Sequence, residues 1–215
     1  MYKVIVFDFD GVILESLDIK TKAFLKVYDN YPEYADEIST YHLQNGGVSR
    51  YNKFIHINNN ILNVPITDEN IKTMASIFSK SVMEEMLQCP FVKGAFDFIR
   101  KYSLTANLYI ASGTPEEELR VIVGKRSIGQ YFKGVYGTPK TKAEIIQGII
   151  SSENISKDDI CFVGDALTDY EESQKVGVPF IARINNDTPD NPFLKMDLNS
   201  VNDLNDLDKF LKQEF

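Results

Sequence analysis

Residues that build metal centres and cross-links are scarce in this chain, which has only two cysteines and two histidines in 215 residues. Cys161 lies in an apolar, strand-like run, so Cys161 and Cys89 read as reduced, buried thiols rather than a disulfide framework. No zinc spacing appears, and His42 and His56 stand alone. Long apolar runs are missing too. Nothing approaches a membrane span, and the apolar residues at the start are too few for a secretory signal, so a cytoplasmic protein with no membrane partner is expected. Basic residues are in deficit: 31 acids against 23 bases give a net charge of -8, which repels polyanions and argues against nucleic-acid binding. A small anionic ligand would also be repelled unless a bound cation and a few placed Lys or Arg residues reverse the field locally. The length suits one domain with an insertion, or two small domains.

What is present begins with Lys3-Val4-Ile5-Val6-Phe7-Asp8-Phe9-Asp10-Gly11-Val12. A short β-branched run that stops at two aspartates and a glycine reads as a buried strand ending in a turn. Strand alternation puts Asp8 and Asp10 on one side and Phe7 and Phe9 on the other, if strand geometry persists that far. Two carboxylates held close cannot both ionise freely. One pKa should rise and leave a proton donor beside a carboxylate, unless a cation neutralises both. With a hard ion such as Mg2+, the pair can supply a metal ligand, a nucleophile and a general acid and base.

From about Glu15 to Tyr31 the apolar spacing predicts a helix ended by Pro32. Further helices are predicted from Tyr34 to Gly46-Gly47, from Tyr51 to the polar turn Asn58-Asn59-Asn60, and after Thr67, a plausible N-cap. The last of these carries Ile71, Met74, Phe78, Val82 and Met86 on one stripe, which reads as core. Residues 16–90 thus look all-helical. From Pro90 onward, strands and helices alternate. The expected strands are Asn107–Ala111, Gly134–Gly137, Asp159–Val163 and Pro179–Ile184, with helices around Gly94–Lys101, from Pro115, and after Thr138-Pro139-Lys140-Thr141-Lys142. The tail from Asp187 to Asn205 reads as loop with a short strand, closed by an amphipathic helix. Alternation of this kind predicts a parallel sheet with ligands at the carboxyl ends of its strands. The helical block is then an insertion into an α/β domain made of residues 1–15 and 91–215.

Three further strand ends carry polar residues. Ser112-Gly113-Thr114 offers a hydroxyl and backbone N–H groups expected at a helix start, a cradle for phosphate. Lys142 stands near the next helix start, with Lys140 as its rival. Gly164-Asp165-Ala166-Leu167-Thr168-Asp169 adds two acids. In order and spacing these pieces resemble the four motifs of the haloacid dehalogenase superfamily, with D-x-D-G-[TV] at Asp8 and Asp10, then Ser112, Lys142, and Asp165 with Asp169. The resemblance covers essentially the whole chain. It implies a Rossmann-like parallel sheet with helices on both faces, plus an all-helical C1-type cap over residues 16–90 that closes over the site.

By the same resemblance, the chain is a phosphoric monoester hydrolase that cleaves a small phosphorylated sugar or hydroxy acid through an aspartyl phosphate. Asp8 would be the nucleophile and Asp10 the acid and base. Mg2+ would be held by Asp8, the Asp10 carbonyl and Asp165, and Asp169 would hold the metal shell or the lysine. Ser112, Gly113 and Lys142 would bind the phosphoryl oxygens. Gly47-Val48-Ser49-Arg50 resembles the cap loop of β-phosphoglucomutase-like members, which makes Arg50 the first candidate for specificity, followed by Lys53 and Lys20. The implied partner is a small phosphorylated metabolite, and the implied state is a monomer or weak dimer. Two departures stand out: Pro139-Lys140-Thr141-Lys142 differs from the K-P-x-P form of several relatives, and Glu15 replaces a common aspartate. The rival readings are a mutase-like phosphoryl transfer, a Schiff-base mechanism on a cap lysine, a binding-only relative, and a nucleotide-binding module. The last is weak because Pro139 occupies the place of a P-loop glycine.

Overall fold

The computed structural model describes residues 2–185 and 191–213, and Glu84 by its backbone alone. Six parallel strands form one sheet: β1 (Val4–Phe7), β2 (Asn107–Pro115), β3 (Gly134–Thr138), β4 (Ile160–Gly164), β5 (Phe180–Arg183) and β6 (Ser200–Val201), in the order β3-β2-β1-β4-β5-β6. Every residue of β1 is buried, as expected of a central strand covered on both faces. The side chains alternate. Ile5 and Phe7 join the apolar cluster under the helices α5 (Ala95–Tyr102), α6 (Glu116–Lys125) and α9 (Leu204–Gln213). Val4 and Val6 face the opposite cluster, under α7 (Lys142–Glu153) and α8 (Leu167–Val176). The architecture is therefore the α/β sandwich read from the sequence.

In register, β1 runs beside β2, with Phe7 opposite Ile110, and beside β4, with Phe7 opposite Val163. The chain winds out through β2 and β3 and returns to the other side of β1. Strand order reverses there, and a cleft opens at the carboxyl ends. Among the described residues no helix is long and apolar enough to cross a membrane.

Between β1 and α5 lie four helices, α1 (Leu17–Val27), α2 (Ala35–Gln44), α3 (Arg50–His56) and α4 (Asp68–Gln88). They pack around Phe24, Phe54 and Phe78, whose ring centroids are 4.9 to 6.4 Å apart. Phe78, Val82 and Met86 of the predicted stripe are buried in this apolar core. Thr67 caps α4 as predicted, in a reciprocal box with Asn70. The chain enters and leaves this insertion side by side: Glu15 N donates to Pro90 O at 3.0 Å and Val92 N to Ile13 O at 2.9 Å.

Four details differ from the sequence reading. The first helix spans 17–27 rather than 15–31, because Ser16 is drawn into the site and the chain turns at Tyr28. Asn58-Asn59-Asn60 is not a turn but part of a π-helical stretch, Ile57–Ile61. There the Asn58 amide donates to the Phe54 carbonyl and the Tyr28 hydroxyl, both at 3.0 Å, which satisfies a wide turn that polar residues alone would have broken. β2 continues through Ser112, Gly113 and Thr114, and α6 starts at Glu116, so these residues are strand and not helix start. In the tail, read as loop with a short strand, the strand is at 200–201, but residues 192–195 form a 3-10 turn; its part from Asp187 to Asp190 lies outside the described residues.

Truncating Phe54, fully buried among three aromatic rings, should cost about 3–5 kcal/mol. Urea unfolding of Phe54→Ala checks this, and a loss below about 1 kcal/mol would mean that the insertion is not held by this cluster.

Candidate active site

The carboxyl ends of β1, β2 and β4 meet at the cleft. Asp8 directly follows β1, its N–H still donating to Val163 O at 2.9 Å, so its side chain emerges at the sheet edge. The chain then turns at Gly11, whose φ is +73°. A Cβ there would stand 2.0 Å from Asp165 Oδ2, so glycine is required both for the turn and for the close approach of the two acidic loops. Arg183, at the end of β5, donates to the Gly11 carbonyl at 3.1 Å and pairs with Glu15 at 2.6 Å, which fastens the loop to the sheet. Glu15, the departure noted above, thus has a structural partner.

Lys142 is buried at the start of α7 and reaches two acids: Asp8 Oδ2 at 2.9 Å, and Asp169 in a shorter contact. Lys140 is exposed, so the structure selects Lys142 of the two rivals. Asp169 is completely buried. Besides Lys142 it accepts the backbone N–H groups of Asp165 and Ala166 at 3.2 and 3.1 Å, so it holds the lysine and shapes the Asp165 turn. Asp8, Asp165 and Asp169 each place a carboxylate oxygen within 4.8 Å of the others. The Asp10 side chain lies outside this cluster. It accepts from Ser16 Oγ at 2.6 Å and Thr114 Oγ1 at 3.2 Å, and it pairs closely with Lys20, which also donates to Thr114 Oγ1 at 2.9 Å.

These contacts set the charges. Burial raises the Asp8 pKa to about 7, Lys142 opposing and Asp169 and Asp10 adding to the shift. Burial, then Asp8 and Asp169, push Asp165 well above the usual carboxylate range. Asp10 moves the other way: burial would raise it, but Lys20 and the hydrogen bonds from Lys20, Ser16 and Thr114 outweigh burial. For Lys142, Asp169 and Asp8 outweigh burial and keep the ammonium charged. One acid of the pair is raised and the other lowered, as expected, but burial rather than repulsion between the two is the main cause, and Lys20 with the hydroxyls around Asp10 decides that the raised one is Asp8.

Asp8, Asp10 and Asp165 line a cavity of about 760 Å³, with Gly113 on its wall. Ser112 is buried beside it, its Oγ accepting the Thr114 N–H at 3.1 Å. The insertion closes the cavity from above. Gly47, with φ at +75°, comes so near the core that a Cβ would stand 2.3 Å from Thr168 Oγ1, and Thr168 Oγ1 donates to the Gly46 carbonyl.

The three proposed specificity residues part company. Lys20 points at Asp10. Arg50, 5% exposed, gives Nη2 to Glu118 Oε1 at 2.7 Å and Nη1 to Glu118 Oε2 and Ser79 Oγ at 3.0 and 2.7 Å, over the Phe78 ring. It is a strut between the insertion and α6. Lys53 is buried and bonded only to His42 among the described residues. Ser16, Glu118 and His42 carried no sequence signal, since each acts only through a partner that the fold brings to it, and Thr114 was read only as part of the Ser112-Gly113-Thr114 cradle, not as a partner of Asp10.

A profile of the haloacid dehalogenase-like hydrolases matches residues 5–183, which take in every residue of this site. The chain belongs to the haloacid dehalogenase-like hydrolases. A search of curated proteins gives no significant match. Among solved structures, the β-phosphoglucomutase of Clostridium difficile is similar with a TM-score of 0.77 and 16% identity, covering 100% of this chain and 96% of that one. A predicted phosphoglycolate phosphatase from Haemophilus somnus has a TM-score of 0.75 and 16% identity over 98% of both chains. The HAD-hydrolase YfnB of Bacillus subtilis, solved bound to magnesium, has a TM-score of 0.71 and 17% identity over 98% of this chain and 99% of that one. At such identities the likeness concerns the fold.

The donor set of this hydrolase fits a hard divalent ion. Four carboxylates meet here, with Lys20 and Lys142 the ammonium groups in direct contact with them, and burial, with the neighbouring carboxylates adding, raises the proton affinity of Asp8 and Asp165. In the metal-free protein, 13C NMR should find the Asp8 carboxyl titrating near pH 7 rather than 3.8, with Mg2+ lowering the midpoint. Because the folded value exceeds the unfolded one, this group's stabilisation is complete below about pH 4 and is lost as pH rises through about 7. A metal-free midpoint near the ordinary aspartate value would contradict this picture of the site.

Proposed function

We propose that this hydrolase is a Mg2+-dependent phosphatase acting on a small phosphate monoester, with Asp8 as nucleophile and Asp10 as general acid and base. The observation that carries the reading is the buried Lys142, which ties Asp8 to Asp169 at the carboxyl edge of the sheet beside Asp165. Mg2+ bound by Asp8, Asp165 and the Asp10 carbonyl would supply positive charge to the phosphoryl group.

In the first step an Asp8 carboxylate oxygen bonds to phosphorus while the ester P–O bond breaks, and Asp10 gives its proton to the leaving oxygen. In the second, Asp10 takes a proton from water, whose oxygen bonds to phosphorus and frees Asp8 and phosphate. Lys20 keeps Asp10 ionised in the ligand-free site, which suits the second step; a dianionic phosphoryl group alongside raises its proton affinity for the first. Lys142, Ser112 and Gly113 receive the phosphoryl oxygens. The insertion acts as the cap, excluding water over the cavity.

Asp8→Asn should reduce turnover of p-nitrophenyl phosphate with Mg2+ by at least 10³-fold while leaving the circular dichroism spectrum unchanged, as expected when a nucleophile is lost. Chelation should abolish wild-type activity reversibly. Undiminished hydrolysis by the variant would reject the mechanism, and retention of phosphate on a bisphosphate product instead of net release would favour mutase-like transfer.

A further inference from the structure

Among the buried cations that the reaction does not use, Arg50 and Arg183 are each paired with a glutamate, and Lys53 in α3 is not. It is 3% exposed, yet no carboxylate pairs with it among the described residues. Its Nζ lies 3.1 Å from His42 Nδ1 and donates to the His42 carbonyl oxygen at 3.0 Å, and it has no further hydrogen-bond partner there. When the amine is protonated it can only donate, so Nδ1 then accepts, the ring hydrogen sits on Nε2 and one N–H is left over. Burial, with Lys53 and Lys20 adding, lowers the His42 pKa to about 2, so the ring stays neutral. The Phe24 ring supports the arrangement, 4.4 Å from the His42 ring and 5.5 Å from Lys53 Nζ between centroids and nitrogen. A cation held by neutral acceptors and an aromatic face lacks the counter-charge that buried ions otherwise have. Burial, then Lys20, accordingly lower the Lys53 pKa to about 7. Lys53, His42, Phe24 and Phe78 line the same cavity as Asp8 and Asp10.

We propose that Lys53, held by His42, receives a carboxylate at the non-reacting end of the substrate, so that this chain acts on phosphorylated hydroxy acids. This rests on the phosphatase reading above. One spare N–H and one charge match a carboxylate, whereas a second phosphate, with three oxygens and nearly two charges, calls for several donors. Arg50 lines the cavity too, but it gives three of its N–H groups to Glu118 and Ser79, so its charge, unlike that of Lys53, is already paired with a carboxylate. The aromatic wall of Phe24 and Phe78 suits a short carbon chain better than a polyhydroxylated ring. An incoming carboxylate turns an isolated buried charge into a pair, so the site gains most from a ligand that carries one.

Three esters of equal chain length test this: the phosphate of a neutral alcohol, of a hydroxy acid, and a bisphosphate. Their equilibrium binding is measured on the Asp8→Asn protein, with and without Lys53→Met, and their turnover on the wild type and on Lys53→Met alone. The hydroxy-acid ester should bind Asp8→Asn at least tenfold more tightly than the neutral ester. Lys53→Met should erase that preference and raise KM for the acid at least tenfold, while melting no lower than wild type because an uncompensated charge is gone. Equal binding of the neutral and acid esters, tightest binding of the bisphosphate, or a preference that survives Lys53→Met would overturn the assignment. So would borohydride trapping of an aldehyde ester on Lys53, which would make the amine a nucleophile. If the wild type releases phosphate from none of the esters while Asp8→Asn keeps the acid preference, the phosphatase reading fails and the carboxylate site stands.

Discussion

The site depends on one buried ammonium. Lys142 lies between Asp8 and Asp169, and without it three carboxylates would crowd one another at the edge of a sheet where little water enters. Its positive charge is itself maintained by those acids against burial. Asp169 adds the second constraint, since its other oxygen takes two backbone N–H groups of the turn that presents Asp165. Asp8, Lys142 and Asp165 are thus positioned through a single connected network, whose members come from the end of β1, from α7 and from the β4–α8 turn. Networks of this kind are strongly interdependent, so the effects of altering its members should not add.

The insertion is joined to that network at two points of different character. At Gly46 and Gly47 the backbone approaches Thr168 and Lys142 as closely as a missing side chain allows. Farther out, Arg50 and Glu118 form a two-pronged pair, nearly buried on both sides and braced by Ser79. Such a pair is weak evidence for stability, because both ions lose water on forming it, but it does fix orientation. Between the two contacts lies the cavity with Lys53, so its position relative to Asp8 is set by the same braces.

Much of this was legible in the sequence where the signal is local. The β1 run, ending in Asp8, Asp10 and Gly11, shows both strand and site because apolar residues and acids meet at one boundary. Thr67 announces the start of α4 for the same reason. The pairing of Arg50 was not legible because its partner stands 68 residues away, on a helix that only the folded chain brings near. The direction of the Asp10 shift was hidden too, since it is set first by Lys20, which only the turn into α1 brings back to the acid, and then by Ser16 and the distant Thr114. The Ser112 segment stayed in the strand because pairing with β3 resumes at Pro115 opposite Thr138, a tertiary effect that local turn chemistry does not report. The isolation of Lys53 is legible only in three dimensions, since a missing counter-ion has no sequence signature.

The two crossings into the insertion run as a short paired ribbon at residues 13–15 and 90–92. Lys20 lies on α1, just beyond that ribbon, and its ammonium contacts Asp10 and Thr114 together. The charge that holds Asp10 below the usual carboxylate range is therefore supplied by the insertion rather than by the sheet, so the proton affinity of a core acid depends on where the insertion sits.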